Sequence, residues 1–164
     1  MKFLIQRVSQ ASVHILDTDE TNSIGQGLLI YVGIHRDDVD TDRKGSVDKF
    51  VRRVDKLELF SQSSPPAPLP KGEGSNSKSR KSMWLRDIDG ELLVISNFTL
   101  YGRNKKAGSV DFVHSAKYDV AEPIYDYLID ELRNKWLAVQ TGKFGGQMEV
   151  SSTLMGPVNV VLEW

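Results

Sequence analysis

Apolar and polar residues alternate from Phe3 to Ile15, the period of a strand with one buried face. A polar turn, DTDETN, follows, and the run SIGQGLLIYVGI is expected to return antiparallel to the first strand as a hairpin. Val47, Phe50, Val51, Val54 and Leu57 then recur at helical spacing, with Asp48, Lys49, Arg52 and Arg53 on the other face. That stripe predicts a helix from about Asp40 to about Lys56. LELF begins a short strand that breaks off at Ser61. MWLRDIDGELLVISNFTLYG reads as two strands joined by a tight turn at Asp89 and Gly90, because Asp-Gly favours hairpin turns. Val120, Ile124, Tyr127, Leu128, Ile129, Leu132 and Trp136 predict a second amphipathic helix, with Pro123 in its first turn. The last segment supplies a turn at Gly145 and Gly146 and the closing strands. Hairpins mixed with two lone helices define an α+β fold, a single domain of mainly antiparallel β-sheets with two amphipathic helices.

The segment from Ser61 to Ser82, SQSSPPAPLPKGEGSNSKSRKS, breaks this pattern. Pro65, Pro66, Pro68 and Pro70 crowd into it, and apolar residues are too few to bury a core, so it reads as an exposed insert within the 1–164 domain. It also concentrates charge: Lys71, Lys78, Arg80 and Lys81 against Glu73 give a local +3 in a chain whose formal net charge is -1. The remainder carries no global basic field of the kind that wraps nucleic acid by charge alone. At 164 residues, 40% of them hydrophobic, the chain is long enough for one core, and no apolar run approaches the ~20 residues of a membrane span. MKFLIQRVSQ lacks the apolar stretch of a secretory leader. With no cysteine, disulfides and thiolate chemistry are excluded and a cytoplasmic setting is expected. His14, His35 and His114 have no metal-ligand spacing, so neither a metal nor another cofactor is expected.

Three stretches could carry chemistry. ISNFTLYG puts Ser96, Asn97 and Thr99 directly after a strongly apolar run, where their polar groups either face a cleft or cap backbone groups at a strand end. A hydroxyl nucleophile needs a base in reach, and no spacing ties a histidine to this one. TGKFGGQM matches no phosphate-binding glycine motif. Its Phe144 and Met148 are either core or a surface for stacking a base. The basic runs SKSRKS and GRNKK are either solvated loops or phosphate contacts. In MGPVN, Gly156 and Pro157 interrupt what otherwise reads as a strand, so the backbone there is open to close approach and the X-Pro bond can be cis.

IQRVSQASV, SIGQGLLIYVGI, SNFTL, TGKFGGQM and MGPVN, in this order and at these separations, closely resemble the D-aminoacyl-tRNA deacylases, also called D-tyrosyl-tRNA deacylases. The resemblance covers nearly the whole chain except the insert. It implies a homodimer, with active sites at the subunit interface, that hydrolyses the ester between a D-amino acid and the 3' adenosine of tRNA. In that family the Gly-Pro pair is cis and enters the partner's site, where its carbonyls exclude an L side chain; here the pair is Gly156 and Pro157. The family's SQFT block falls on Ser96, Asn97, Phe98 and Thr99, which would line the pocket around the ester, with backbone N–H groups for the oxyanion. Thr99 is a candidate nucleophile, although the family is held to act mainly through backbone groups and the 2'-hydroxyl of the RNA. By the same resemblance Phe144 and Met148 would hold the terminal adenine, and Arg7 would orient the Gly-Pro loop. The chain departs from the family at three positions: Asn97 stands for glutamine, Leu154 for asparagine and Asn159 for threonine. With altered flanks around Gly156, the same fold could instead clear glycine or another mischarged amino acid, and a noncatalytic tRNA-binding dimer is the third reading.

Overall fold

The computed structural model describes residues 1–39, 43–54, 56–61, 82–136 and 138–164. The insert between Ser61 and Ser82 therefore lies outside the described residues, as does the start of the first predicted helix.

Among the described residues ten strands and two α-helices follow one another, with short 3-10 turns between them. The first three strands are β1 (Lys2–Ile15), β2 (Glu20–Ile24) and β3 (Gly27–Gly33), and helix α1 (Arg43–Val54) comes next. Two short strands, β4 (Phe60–Ser61) and β5 (Ser82–Met83), precede β6 (Glu91–Ser96). The chain then forms β7 (Arg103–Asn104), β8 (Val110–Asp111), α2 (Tyr118–Arg133), β9 (Val139–Thr141) and β10 (Met148–Glu163). The main sheet runs β10-β1-β3-β6-β9, with β2 also paired to β1. Phe60 pairs with Met83 and Ser61 with Ser82, so the two ends of the insert are held side by side.

The expected antiparallel hairpin is present: β2 and β3 both pair antiparallel with β1. The expectation of mainly antiparallel sheets holds for β1 with β10, β2 and β3, for β4 with β5 and for β7 with β8, but β3 pairs parallel with β6 and β6 parallel with β9. The reason is that each helix lies in a connection between two neighbouring strands that run the same way, which a tight turn cannot join. The sheet is mixed, and the class stays α+β. The Asp89–Gly90 hairpin is also absent. Leu85–Ile88 is a 3-10 turn with Leu85 buried in the core, and the Trp84 N–H donates to the Asp87 carboxylate at 2.8 Å. Asp89 does turn the chain, at φ 48°, but into β6 alone. Pro123 is the sixth residue of α2 rather than in its first turn, so the carbonyl of Asp119 loses its helical donor. Trp136 lies just past the helix, its N–H bonded to the Leu132 carbonyl at 2.8 Å.

Both faces of the sheet are covered. Leu28, Ile30, Val32, Leu92 and Val94 meet Phe50, Val54, Leu128 and Leu132 of the helices, while Leu29, Leu93 and Ile95 pack the other way against Val8, Val13 and Ile24. Central strands buried on both faces read as unbroken apolar runs, which is why β3 and β6 carry LLIYV and LLVI. β1 serves both cores in turn: Phe3 and Ile5 face the helices, whereas Val8, Ala11 and Val13 face the opposite cluster. A strand can change its apolar face only where a residue is inserted, and the pairing of β1 with β10 shifts register between Gln6 and Val8 and again between Val8 and Gln10.

Candidate active site

A cleft of about 560 Å³ opens beyond the carboxyl ends of β3 and β6. Parallel strands place their carboxyl ends together, and helix-bearing crossovers leave a crevice there. Ser96, Asn97 and Phe98 form one wall; Tyr118, Phe144 and Met148 form another. Thr99 lies next to this wall.

The wall with the hydroxyls is shaped by Asn97. Its N–H bonds the Val32 carbonyl at 2.7 Å, fixing the end of β6 to β3. Its side-chain oxygen caps the following 3-10 turn, Phe98–Tyr101, accepting from the Thr99 N–H at 3.0 Å and from the Thr99 hydroxyl at 2.5 Å. An amide oxygen is no general base. The three histidines are engaged elsewhere, His14 with Thr21 and His35 with His114, so Thr99 has no activating partner among the described residues. Capping takes up the Thr99 donors and leaves the Phe98 N–H without an acceptor among the described residues. The Phe98 ring is exposed and stands edge-on to Phe112 at 5.1 Å.

The aromatic wall comes from α2 and the turn before β10. Phe144 is tilted against Tyr125 at 5.3 Å and edge-on to Tyr118 at 5.1 Å, and the buried Tyr125 hydroxyl donates to the Val94 carbonyl at 2.9 Å. Phe144 is thus both a core contact and a cleft surface, so the two sequence readings of it are not exclusive. Gly145 turns at φ +65°, and a Cβ there would come within 2.3 Å of the Tyr118 ring. Tyr118, exposed on the first turn of α2, was missed by the sequence reading because the helical stripe begins two residues later.

Arg7, Gly156 and Pro157 do not line this cleft in their own chain. Gln6 pairs with Asn159 and Val8 with Leu154, so the four residues 155–158 of β10 bulge opposite Arg7 alone. The Gly156–Pro157 peptide in this bulge is cis, and Gly156 has φ +120°, a conformation that favours glycine. A Cβ on Gly156 would lie 2.9 Å from a Val158 methyl and 3.0 Å from an Arg7 guanidinium nitrogen. Arg7 is 6% exposed. Its Nε donates to the Met155 carbonyl at 3.1 Å and its Nη1 to the Leu59 carbonyl at 2.6 Å, so one buried guanidinium ties the bulge to the segment before β4. Gly156 and Pro157 themselves are exposed. Of the departures, Asn159 accepts from the Gln6 side chain at 2.8 Å across the pair, and Leu154 is 40% exposed.

Of the basic runs, SKSRKS lies outside the described residues. In GRNKK, Lys105 is paired with Asp111 at 3.2 Å and Arg103 contacts His114. Among the described residues no group of three or more His, Asp or Glu side chains is placed to hold a metal.

A mixed-sheet domain with a strand-end cleft and an exposed Gly-cis-Pro bulge has counterparts among known proteins. The family model described as D-Tyr-tRNA(Tyr) deacylase matches residues 4–163, and the chain belongs to that family. It is 38% identical over 163 residues to the D-aminoacyl-tRNA deacylase of Protochlamydia amoebophila, covering 99% of this chain and 95% of that protein. It is also 35% identical over 148 residues to a Bacillus subtilis protein named as an inactive D-aminoacyl-tRNA deacylase, covering 90% of this chain and 98% of the relative. Among solved structures, the c-Myc DNA unwinding element binding protein superposes with a TM-score of 0.78 at 28% identity, over 100% of this chain and 99% of that one.

Proposed function

We propose that the protein hydrolyses the ester bond of D-aminoacyl-tRNA, releasing free D-amino acid and tRNA. Family membership supports this reading, and the observation that carries it is the meeting, in one cleft, of a capped turn with a spare N–H and an aromatic wall. Water adds to the ester carbonyl carbon, the bond to the 3'-oxygen breaks, and the proton from water ends on that oxygen. On this reading the Phe98 N–H stabilises the charge developing on the carbonyl oxygen, Ser96 and Asn97 flank the ester, and Phe144, Met148 and Tyr118 hold the adenine. Thr99 acts through its bond to Asn97 rather than as nucleophile, and the substrate's own 2'-hydroxyl stands next to the ester.

The working form on this reading is a homodimer. Gly156 and Pro157 stand on an exposed bulge of the edge strand and do not line their own cleft, so a cleft receives such a pair only from a second copy. There the carbonyls of the bulge would meet the side chain of an L-amino acid and leave room for the D enantiomer, a steric exclusion. A tRNA substrate places the work in the cytoplasm, and among the described residues no helix is long and apolar enough to cross a membrane.

Purified protein should hydrolyse D-Tyr-tRNA at least a hundredfold faster than L-Tyr-tRNA. Faster turnover of Gly-tRNA than of D-Tyr-tRNA would move the substrate class. Retention of tRNA with no hydrolysis of any of the three would make the protein a noncatalytic binder.

A further inference from the structure

A second, smaller cleft of about 290 Å³ lies on the other side of the Phe98–Tyr101 turn, lined by Lys2, His35, Tyr101, Arg103, His114 and Glu163, with Gly102 at its edge. The function proposed above uses none of these residues. They come from β1, the segment after β3, the Phe98–Tyr101 turn, β7, the segment after β8 and the end of β10, so no sequence spacing announced them. His35 and His114 are 79 residues apart, yet their rings stack at 5.4 Å with His35 Nε2 and His114 Nδ1 3.3 Å apart. Arg103 Nη1 donates to His114 Nε2. On its other side His35 Nδ1 accepts from the Asp37 N–H at 3.2 Å and lies 3.5 Å from the Asp37 carboxylate.

The cleft is cationic because the surrounding carboxylates are committed. Asp111 pairs with Lys105 at 3.2 Å, Glu163 with Lys2 at 3.4 Å, and Asp38 accepts from the His35 N–H at 2.6 Å. Arg103 is exposed and has no carboxylate within ion-pair distance among the described residues. Partial desolvation, then the charges of Arg103, Arg36 and His35, hold His114 below the usual histidine range, against the opposing pull of Asp111. A cluster that rejects a proton in its empty state is relieved by an anion. The two clefts share a wall: the Ser115 hydroxyl donates to the Phe98 carbonyl at 2.8 Å, and His35 bridges to Ser115. The turn between them spans about 8 Å at about 2 Å per residue, a reach of two to three stacked nucleotides.

We propose that this second cleft binds a phosphodiester of the RNA strand whose aminoacylated end occupies the main cleft, with Arg103 and protonated His114 as the contacts. The proposal rests on the deacylase reading for the identity of the strand. Because His114 takes up a proton when the phosphate enters, binding strengthens as pH falls. The charged and titratable groups around His114 are Arg103 and Asp111 on the β7–β8 ribbon and Arg36 and His35 after β3, with Asp37 beside His35. Lys2, Tyr101 and Glu163 complete the cleft wall.

The test compares the trinucleotide CCA, which has two phosphodiesters, with adenosine and with inorganic phosphate as ligands of the full chain. CCA should bind at least fivefold more tightly than adenosine, and at least threefold more tightly at pH 6 than at pH 8. Arg103→Gln should abolish the gain over adenosine and lower the log–log salt slope of tRNA binding by about 0.7, the value for one single-strand phosphate. His114→Gln should abolish the pH dependence. Arg103→Gln should leave hydrolysis of phosphate-free D-tyrosyl-adenosine unchanged. If Arg103→Gln changes neither the CCA preference nor the salt slope, the proposal falls while D-selective hydrolysis by the wild type stands. If inorganic phosphate binds at Arg103 but CCA gains nothing over adenosine, the site is for a free anion and the proposal again falls. If no D-aminoacyl ester is hydrolysed but the Arg103-dependent CCA preference is present, the phosphate site is upheld and the deacylase reading fails.

Discussion

The cleft and the Gly156–Pro157 bulge belong to one sheet and are held in different ways. The cleft stands on the parallel half, where two crossovers, both cores and the packing of Phe144 between Tyr118 and Tyr125 fix its walls. The bulge stands on the antiparallel edge, where residues 155–158 face a single residue, and two hydrogen bonds from the buried Arg7 are its tie to the rest. Redundant packing tolerates the loss of one contact, whereas a lone buried guanidinium does not. The chemistry should therefore be robust around the cleft and fragile around the bulge.

The largest expected effect follows from that contrast. Arg7→Met removes two charge-assisted bonds and strands two carbonyls, and should lower unfolding free energy by about 3 kcal/mol in a urea titration, with D-Tyr-tRNA hydrolysis falling as well. A variant as stable as wild type would show that the bulge has other supports. Gly156→Ala comes next, because φ +120° suits no L side chain and the methyl meets Arg7 and Val158. It should cost about 1–3 kcal/mol of stability and lower kcat/KM for D-Tyr-tRNA at least tenfold, with a smaller D-over-L ratio. In the cleft, Tyr118→Ala should raise KM about five- to tenfold through the loss of about 1 kcal/mol of stacking, with kcat near wild type. Thr99→Val should be smaller still, less than about fivefold in kcat, since the hydroxyl only satisfies Asn97. A thousandfold loss in single-turnover rate would make Thr99 the nucleophile and overturn the backbone mechanism.

The sequence carried local periodicity well and long-range arrangement poorly. Both helices were legible because Val47 to Val54 and Ile124 to Leu132 bury one face of an amphipathic element. The parallel pairing was not, although LLIYV and LLVI already show strands apolar on both faces; alternation says nothing about direction. The Asp89–Gly90 pair misled because Leu85 is drawn into the core, which turns the preceding residues into a 3-10 segment instead of a strand. Ser96, Asn97 and Thr99 could be picked from one polar break after an apolar run, with the family resemblance adding Phe98 and giving them roles. Arg7 looked like an ordinary charge on an alternating strand, and only the bulge opposite it explains why a guanidinium is buried there. Tyr118 and the His35–His114 pair were invisible for the same reason: their neighbours come from other elements, and no spacing along the chain encodes that.

The central claim is that cleft and bulge are two halves of one site contributed by two copies. A mixed dimer tests it: one subunit carries Ser96→Phe, which fills the cleft, and the other carries Gly156→Ala, which spoils the bulge. Each variant alone should hydrolyse D-Tyr-tRNA poorly, and the mixed dimer should recover up to half the wild-type rate, because one of its sites pairs an intact cleft with an intact bulge. A mixed dimer no more active than either parent would contradict the account.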